Sequence, residues 1–268
     1  MTDEERYLFD LQGYLAVENA LTESQVKDLN AAVDGLDPWG EDTWDPDDLY
    51  DFSIVAKNKL HVGPLLHRDD RFKGLIDNPT IVPYLVELLG DTFRLDHEYA
   101  ILMTEDAAPL RLHSGGEPYK ANAYYVHKNG RMFNGLTVVS YALTDINPGD
   151  GGFCSLPGSH KSNYPGPPKY VSLEEPCEAL VHVPVKAGTA LIFTEALTHG
   201  IMPWTASHER RSLLYKYSPG NQAWMGEYRV EMPKSDLTER QRLAMEPPYT
   251  QKRASVVVGN GEADGDRY

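Results

Sequence analysis

The spacing of apolar and polar residues predicts helices in the first third of the chain. Residues 2–11 predict a short acidic helix, and Tyr14–Val17 is an apolar run typical of a strand. Thr22 and Gln25 have the spacing of a capping box, in which two side chains satisfy backbone N–H groups at the start of a helix. Apolar residues then recur every three or four positions up to Leu36, which indicates an amphipathic helix.

The pattern weakens after this helix and returns further along. Residues 37–51 are rich in Asp, Pro and Trp and show no period. We expect an ordered loop there, because Trp39 and Trp44 would be costly to leave exposed together. Asn78-Pro79 then predicts the start of another helix, with an N-cap residue before a proline in the first helical position. Gly90 follows the last apolar position and predicts the end of this helix.

Short strand-like runs, separated by Gly and Pro turns, dominate the chain from Phe93 onward. They cover residues 99–103, 136–143, 152–156, 179–183, 190–193 and 212–217. Strands at this spacing favour a sandwich or barrel over alternating βαβ units. We therefore predict a mainly β fold, with N-terminal helices packed on an antiparallel core of two sheets that has a cavity at its mouth.

The C-terminal part predicts one more helix and a tail. The helix is expected to start at Ser235, and the residues after Pro247-Pro248 are polar and expected to be peripheral or frayed. At 268 residues the chain fits one large domain, which we place at residues 1–247, with a polar tail at 248–268.

Charge and composition narrow the class of protein. The formal net charge is −15, so an acidic surface is expected to repel nucleic acid and anionic membranes. No apolar run approaches the ~18 residues of a membrane span, and the first residues lack the features of a secretory signal. Two cysteines, Cys154 and Cys177, do not make a disulfide framework. These features predict a cytoplasmic protein that acts on a small molecule.

Two histidines and an arginine pair are the candidates for chemistry. His113 stands before a serine, two glycines and Glu117, and neutral imidazole is the commonest protein metal ligand. His199 follows a predicted strand in a similar setting, and Arg210 and Arg211 open the last long strand. An arginine inside a barrel needs a carboxylate partner, which a bound dicarboxylate would supply. From the residues alone, packed histidines and solvated arginines remain the simpler interpretation.

A family resemblance changes that balance. The segment 151–161, Gly-Gly-Phe-Cys-Ser-Leu-Pro-Gly-Ser-His-Lys, resembles the turn motif of the phytanoyl-CoA dioxygenase family. Residues 13–17 are similar to that family's start, and residues 188–193 with His199 resemble its distal-histidine strand. The resemblance extends over residues 10–220. It implies a double-stranded β-helix, or jelly roll, that uses Fe(II) and the co-substrate 2-oxoglutarate.

The resemblance also assigns roles to residues. His113 would be the proximal and His199 the distal metal ligand of a site with two histidines and one carboxylate. Arg210, eleven residues after His199, would bind the far carboxylate of 2-oxoglutarate, with Arg211 as the fallback. His160 belongs to the turn motif and is expected to be structural. The implied reaction is oxidative decarboxylation of 2-oxoglutarate coupled to hydroxylation of an unactivated C–H bond.

The sequence departs from the family at the carboxylate ligand. The family motif is His-x-Asp, and here the aspartate position is Gly115. One alternative is that Glu117 supplies the carboxylate and the protein is a hydroxylase. A second is that halide or water fills the position, as the His-x-Gly motif of related halogenases implies. A third is that iron is not bound productively and the protein is a non-catalytic, cupin-like binding module.

Two further departures concern the pocket wall. The family often has a small hydroxyl residue two positions after the distal histidine, where this chain has Ile201. Ser140 and Tyr141 are candidates to contact 2-oxoglutarate instead, or they are an ordinary strand pair with one side chain in and one out. Residues 119–131 carry four basic side chains when His127 is protonated. This segment could recognise an anionic substrate, act as a lid, or be a solvated loop.

Overall fold

Two antiparallel sheets, with helices on the outer face of the larger sheet, make up the computed structural model. The structure describes residues 1–40, 54–56, 58–114, 120–173, 177–225 and 236–257. The helices in these ranges are α1 (Asp3–Gln12), α2 (Glu23–Gly35), α3 (Val82–Leu89), α4 (Pro168–Val171) and α5 (Glu239–Ala244), with short 3-10 helices at Asp70–Leu75 and Ser159–Lys161. The strands are β1 (Tyr14–Val17), β2 (Ile54–Ala56), β3 (Lys59–Val62), β4 (Arg94–Met103), β5 (Leu110–His113), β6 (Tyr125–Lys128), β7 (Arg131–Asn134), β8 (Thr137–Ala142), β9 (Gly152–Ser155), β10 (Val181–His182), β11 (Ala190–Thr194), β12 (His199–Met202) and β13 (Arg210–Ser218).

The larger sheet has the strand order β1-β11-β8-β13-β4-β3-β2, and its helix-facing side forms the main core. Side chains alternate across a strand, so β13 serves both faces of this sheet. Leu213, Tyr215 and Tyr217 belong to the core shared with the helices. Leu214 belongs to a second apolar cluster that lies between the two sheets.

The smaller sheet has the strand order β10-β9-β12-β5 and closes the other side of the cavity. Its pairing brings β5 and β12 together although they are far apart in sequence. His199 is the Cα partner of His113, and the register shifts between His199 and Ile201. The two packed antiparallel sheets confirm the expected jelly roll with flanking N-terminal helices.

Helix starts follow the predicted capping chemistry where the box is complete. Thr22 accepts a hydrogen bond from the backbone N–H of Gln25, and the Gln25 side chain accepts from the backbone N–H of Thr22. Reciprocal boxes also begin α1, at Thr2, and α5, at Thr238. The late helix therefore begins at Glu239, later than the expected start at Ser235, which lies outside the described residues.

The predicted start of α3 is wrong by three residues. Asn78 accepts from the backbone N–H of Thr80 and forms a turn, and the helix begins at Val82. Pro83 gives the physical reason, because a proline has no N–H and is tolerated only in the first turn of a helix. A helix starting at Pro79 would have placed Pro83 in its interior. Gly90 ends the helix as predicted.

Residues 120–134 contain structure where the sequence indicated a loop. Strands β6 and β7 form a separate two-stranded hairpin, and its turn residues Asn129 and Gly130 both have positive φ. Such a turn fits the right-handed twist of paired strands, and Asn-Gly is its preferred sequence. Lys128 and Arg131, two of the basic residues, are exposed on this hairpin.

The loop predicted at residues 37–51 is described by the structure only at its start. Trp39 is 43% exposed and its indole N–H donates to Glu209 at 2.7 Å, whereas Trp44 and most of the segment 37–51 lie outside the described residues.

The C-terminal residues up to 257 are not frayed, because Val256 is buried in the main core and Arg253 is bound to backbone carbonyls. No described helix combines the length and apolar character needed to cross a membrane.

Candidate metal and co-substrate site

A cavity between the two sheets collects the polar residues that the sequence singled out. Apolar side chains form part of its wall, and polar groups from several strands converge inside, which is the combination expected of a small-molecule site. The polar lining residues are His61, Tyr99, His113, Ser140, Glu195, His199, Arg210 and Lys216, and the apolar ones include Ile101, Leu110, Phe153, Phe193, Ile201 and Leu214.

His113 and His199 face each other from neighbouring strands of the smaller sheet. Their ring centroids are 4.3 Å apart. His113 Nδ1 lies 3.2 Å from the backbone oxygen of Arg111, and His199 Nδ1 lies 2.7 Å from that of Leu197. A carbonyl oxygen only accepts, so each Nδ1 carries the proton and each Nε2 keeps a free lone pair. This is the usual way in which a metal-binding histidine is oriented.

Burial keeps His199 in the neutral form that a metal needs. Its ring is 6% exposed and lies against Phe153, at 5.9 Å between centroids, and Phe193, at 4.7 Å. Burial lowers the pKa of His199 to about 4, against the raising effect of the nearby Glu195 carboxylate. An imidazole with this pKa is unprotonated at neutral pH and can act as a ligand without first losing a proton.

Glu195 places a carboxylate beside the two histidines. One potential ligand atom from each of His113, Glu195 and His199 lies within 4.8 Å of the others. Glu195 Oε1 accepts a 2.7 Å hydrogen bond from Lys216 Nζ. Burial alone would raise the pKa of Glu195, but the Lys216 ammonium and the two histidines lower it to about 2. Two imidazoles and an ionised carboxylate are a donor set that suits Fe(II).

Glu195 is not among the residues predicted from the sequence. It lies in the turn between β11 and β12, four positions before His199, in the segment Thr194-Glu-Ala-Leu-Thr-His199. The available signal was a lone acidic residue between an apolar strand and a candidate ligand. The expected carboxylate, Glu117, and the glycine at position 115 lie outside the described residues.

Arg210 extends into the same cavity without a carboxylate partner among the described residues. The side chain is buried, and its Nη1 donates to the sulfur of Met103 at 3.3 Å while Nε has no partner. Burial lowers the pKa of Arg210 to about 10, so the guanidinium stays charged at neutral pH. A buried, unpaired guanidinium is costly, and a ligand carboxylate would satisfy it with bidentate geometry.

His61 adds a second unsatisfied group to this end of the cavity. Its Nε2 is buried and has no partner among the described residues. Burial, together with the positive charges of Lys59, Arg210 and Lys216, lowers the pKa of His61 to about 4. Around Arg210 the cavity therefore holds several nitrogen groups and, among its described lining residues, one carboxylate, that of Glu195.

Comparison with known sequences agrees with these features. A sequence model of the phytanoyl-CoA dioxygenase (PhyH) family matches residues 9–212. The chain belongs to the phytanoyl-CoA dioxygenase family. No curated protein gives a significant match. The sequence-based assignment is thus confirmed over most of the chain.

Solved structures show the same fold at low sequence identity. HygX from Streptomyces hygroscopicus, with nickel and 2-oxoglutarate bound, superposes with a TM-score of 0.72 at 22% identity, over 87% of this chain and 92% of its own. HygX with iron bound gives a TM-score of 0.69, also at 22% identity and over 87% and 92% of the two chains. SnoN, a non-heme alpha-ketoglutarate-dependent epimerase from nogalamycin biosynthesis, gives 0.60 at 18% identity, over 81% and 83% of the two chains. The ligands of HygX are the metal class and co-substrate expected from the sequence.

Two of the residues predicted to contact 2-oxoglutarate face away from the cavity. Arg211 lies on the opposite side of β13 from Arg210 and pairs with Glu209 and Asp34, at 2.6 and 2.7 Å. Tyr141 is fully buried in the main core, next to Tyr215. Adjacent residues of a strand point to opposite faces, so Arg210 in the cavity excludes Arg211.

Ser140 faces the cavity, because it is adjacent to Tyr141 on β8 and side chains alternate between the two faces of a strand. Ile201, in the position where the family often has a hydroxyl residue, also lines the cavity. The structure thus gives one side chain in and one out for the pair on β8. The hydroxyl of Ser140 is the one of the two that a bound co-substrate could contact.

A wider cleft opens on the other side of His113. It has a volume of about 410 Å³ and is lined by His113, Ser114, Ser159, Tyr164, Val171, Thr198 and neighbouring Pro and Gly residues. No lysine, arginine or carboxylate is among the described residues that line it. The basic residues of the hairpin line neither this cleft nor the cavity. The described walls of the cleft are therefore rich in hydroxyl groups and proline and carry no lysine, arginine or carboxylate.

Proposed function

We propose that the protein is an Fe(II)- and 2-oxoglutarate-dependent oxygenase that hydroxylates a C–H bond of a small molecule. The observation that supports this most directly is the shared cavity of His113, His199 and the unpaired guanidinium of Arg210. A metal-binding pair and a buried cation for a dicarboxylate are the two protein elements that this reaction needs. Family membership supports the same activity.

Each residue has a distinct role in the proposal. His113 and His199 hold the metal through Nε2, with their Nδ1 protons fixed on backbone carbonyls. Arg210 pairs with the far carboxylate of 2-oxoglutarate, and Ser140 is within the same wall. Bound iron supplies the oxidative decarboxylation of the co-substrate and the activation of O₂. Phe153 and Phe193 exclude water from the His199 side.

The substrate is expected in the cleft beside His113, because this cleft and the cavity share that residue. Its volume of about 410 Å³ fits a small organic molecule. HygX has been crystallised with hygromycin B, and SnoN with nogalamycin RO, so proteins of this fold bind small organic molecules. Among its described residues the cleft offers hydroxyl groups and apolar surface but no lysine or arginine, which favours a substrate recognised through hydroxyl groups and apolar surface over an anionic one.

The test measures the affinity of the Fe(II)-loaded protein for 2-oxoglutarate in the absence of oxygen. Binding is monitored through the absorption band of the complex. Arg210→Met should raise the Kd for 2-oxoglutarate by about 100-fold, because losing one partner of a buried charge pair costs roughly 2–5 kcal/mol. Fe(II) affinity without 2-oxoglutarate should stay unchanged. Arg211→Met is the matched control on the opposite face and should leave both affinities within a few-fold of the parent. Equal effects of the two substitutions would reject the assignment of Arg210.

A second candidate function is halogenation. Gly115, in the position where the family has aspartate, is the observation that favours it. The two reactions differ in their products when the enzyme turns over a substrate in chloride or bromide. A halogenated product would replace the hydroxylase proposal, whereas an oxygenated product that is independent of halide would support it. Failure to form succinate from 2-oxoglutarate with any substrate would favour a binding module.

A further inference from the structure

We propose that Glu195 is the carboxylate ligand of the metal. The turn between β11 and β12 would then supply the group that the family takes from the position of Gly115. This inference rests on the proposed iron site and specifies how that site is completed. The family motif places its carboxylate two residues after the proximal histidine. Here the carboxylate would come four residues before the distal histidine, from the turn that leads into the strand of that histidine.

The distances fit a shared ion. Metal bonds to histidine nitrogen and carboxylate oxygen are about 2.0–2.2 Å, so ligand atoms around one ion lie roughly 3–4 Å apart. The ligand atoms of His113, Glu195 and His199 already lie within 4.8 Å of one another. Closing on an ion therefore needs only a small movement of the side chains. No other group of three histidine, cysteine or acidic residues in the described part of the chain meets this criterion.

The backbone of Glu195 is held from both sides. Its N–H donates to the carbonyl of Leu136 at 2.9 Å, and its carbonyl accepts from the hydroxyl of Ser114. Ser114 directly follows His113 and has a φ of +68°. The residue after the proximal histidine thus fixes the backbone of Glu195. The first metal-binding segment and the turn that carries Glu195 are linked by this hydrogen bond.

Lys216 compensates the charge of the buried Glu195 carboxylate when no metal is bound. Glu195 and Lys216 have side chains that are 10% and 13% exposed, and an unpaired charge at such a depth would be costly. Lys216 Nζ donates its hydrogen bond to Oε1 of Glu195. A carboxylate has about four lone-pair sites on its two oxygens, so one ammonium does not use its full capacity. The alternative is a closed structural ion pair with no metal role.

Metal affinity separates these alternatives without any turnover. We would titrate Co(II) into the full-length apo protein anaerobically and measure Kd by calorimetry and the visible ligand-field spectrum. Glu195→Gln keeps the shape of the side chain and removes its charge. It should weaken Co(II) binding by about 100-fold or more, since even indirect partners of a metal site contribute 10–100-fold. Glu117→Gln tests the competing carboxylate named from the sequence, and if Glu195 is the ligand it should leave Kd and spectrum unchanged.

A double substitution guards against misfolding from an unpaired Lys216. Glu195→Gln with Lys216→Met removes both charges and should fold, as judged by its circular dichroism, while losing Co(II) affinity like the single variant. Parental affinity in either Glu195 variant would overturn the proposal, as would loss of affinity in Glu117→Gln alone. If the parent protein itself binds neither Co(II) nor 2-oxoglutarate, the proposed function fails instead, so the two failures are distinguishable.

Discussion

Gly13 shows how one residue joins the N-terminal helix to the turn motif that identified the family. It ends α1 with a φ of +83°, and its N–H donates to the carbonyl of Phe9. A Cβ atom on Gly13 would lie 2.7 Å from Nδ1 of His160 and 3.0 Å from Leu197. His160 in turn contacts the backbone oxygen of Asp10 through Nε2, at 3.1 Å. The histidine of the turn motif is therefore packed on α1, as expected for a structural residue.

We expect Gly13→Ala to destabilise the protein by about 2 kcal/mol or more, because left-handed strain and close contact act together. The free energy of unfolding in urea measures this effect. Gly35→Ala is the control at the end of α2, where a Cβ would meet nothing within 4 Å. That substitution should be neutral or stabilising by up to about 1 kcal/mol. Similar losses in the two variants would contradict the contact with His160.

Of the candidate site residues, those at family motif positions could be picked out from the sequence, and Glu195 could not. The spacing from His199 identified Arg210, and strand alternation then decided between Arg210 and Arg211. Alternation alone does not say which face is inside, so Tyr141 was proposed beside Ser140 and proved to face the main core. Glu195 comes from a turn, where residue order implies no direction, and only the fold brings it to the histidines.

At the scale of helices and strands, the features encoded by residues close together in sequence were predictable. The capping boxes of Thr22 and Thr2 lie within a few residues of chain, so sequence encodes them fully. The start of α3 was misplaced because Asn78 and Pro79 suit a turn as well as a helix. Strands β5 and β12 have four residues each, and their pairing depends on contacts across the fold.

The capping box of α2 gives a prediction at the scale of one element. Thr22→Ala should lower the free energy of unfolding by about 1 kcal/mol, because the backbone N–H of Gln25 loses its acceptor. Thr22→Ser keeps a hydroxyl and should stay within ~0.5 kcal/mol of the parent. Urea denaturation followed by circular dichroism measures both. A loss in the serine variant as large as in the alanine variant would show that the methyl group, not the cap, is important.

Across the whole molecule, the acidic composition and the cavity have opposite character. The formal net charge is −15, yet the cavity is lined by the cations of Arg210 and Lys216 and, among its described lining residues, by one carboxylate, that of Glu195. Composition describes the sum over the chain and therefore does not predict the charge of the interior. The two-sheet core with a cavity was predictable, since it follows from strand spacing, whereas the strand order was not.

The stability of the whole molecule should fall in acid in a way that depends on His160. Burial lowers the pKa of His160 to about 4, below its value of 6.5 in an unfolded chain. Between these values the unfolded state binds the proton more readily, so stability decreases as the pH falls from about 6.5 to about 4. The loss is about 3 kcal/mol at most, at 1.36 kcal/mol per pH unit.

Urea denaturation across this pH range, with His160→Asn beside the parent, measures the contribution. The variant should lose less stability than the parent on acidification, whatever its stability at neutral pH. His127→Asn is the control, because His127 is exposed on the β6–β7 hairpin. Parallel curves for His160→Asn and the parent would show that the histidine is not held neutral by the fold.

The pairing of His113 with His199 across β5 and β12 has a consequence for local unfolding of the smaller sheet. These two strands are short, and the smaller sheet has four strands against the seven of the larger one. An ion held by both histidines would bind only while β5 and β12 are paired, so it would stabilise the paired state over a state in which the two strands have separated. Hydrogen exchange of the β5 and β12 amides would then slow when metal is added, while exchange in the larger sheet would change little.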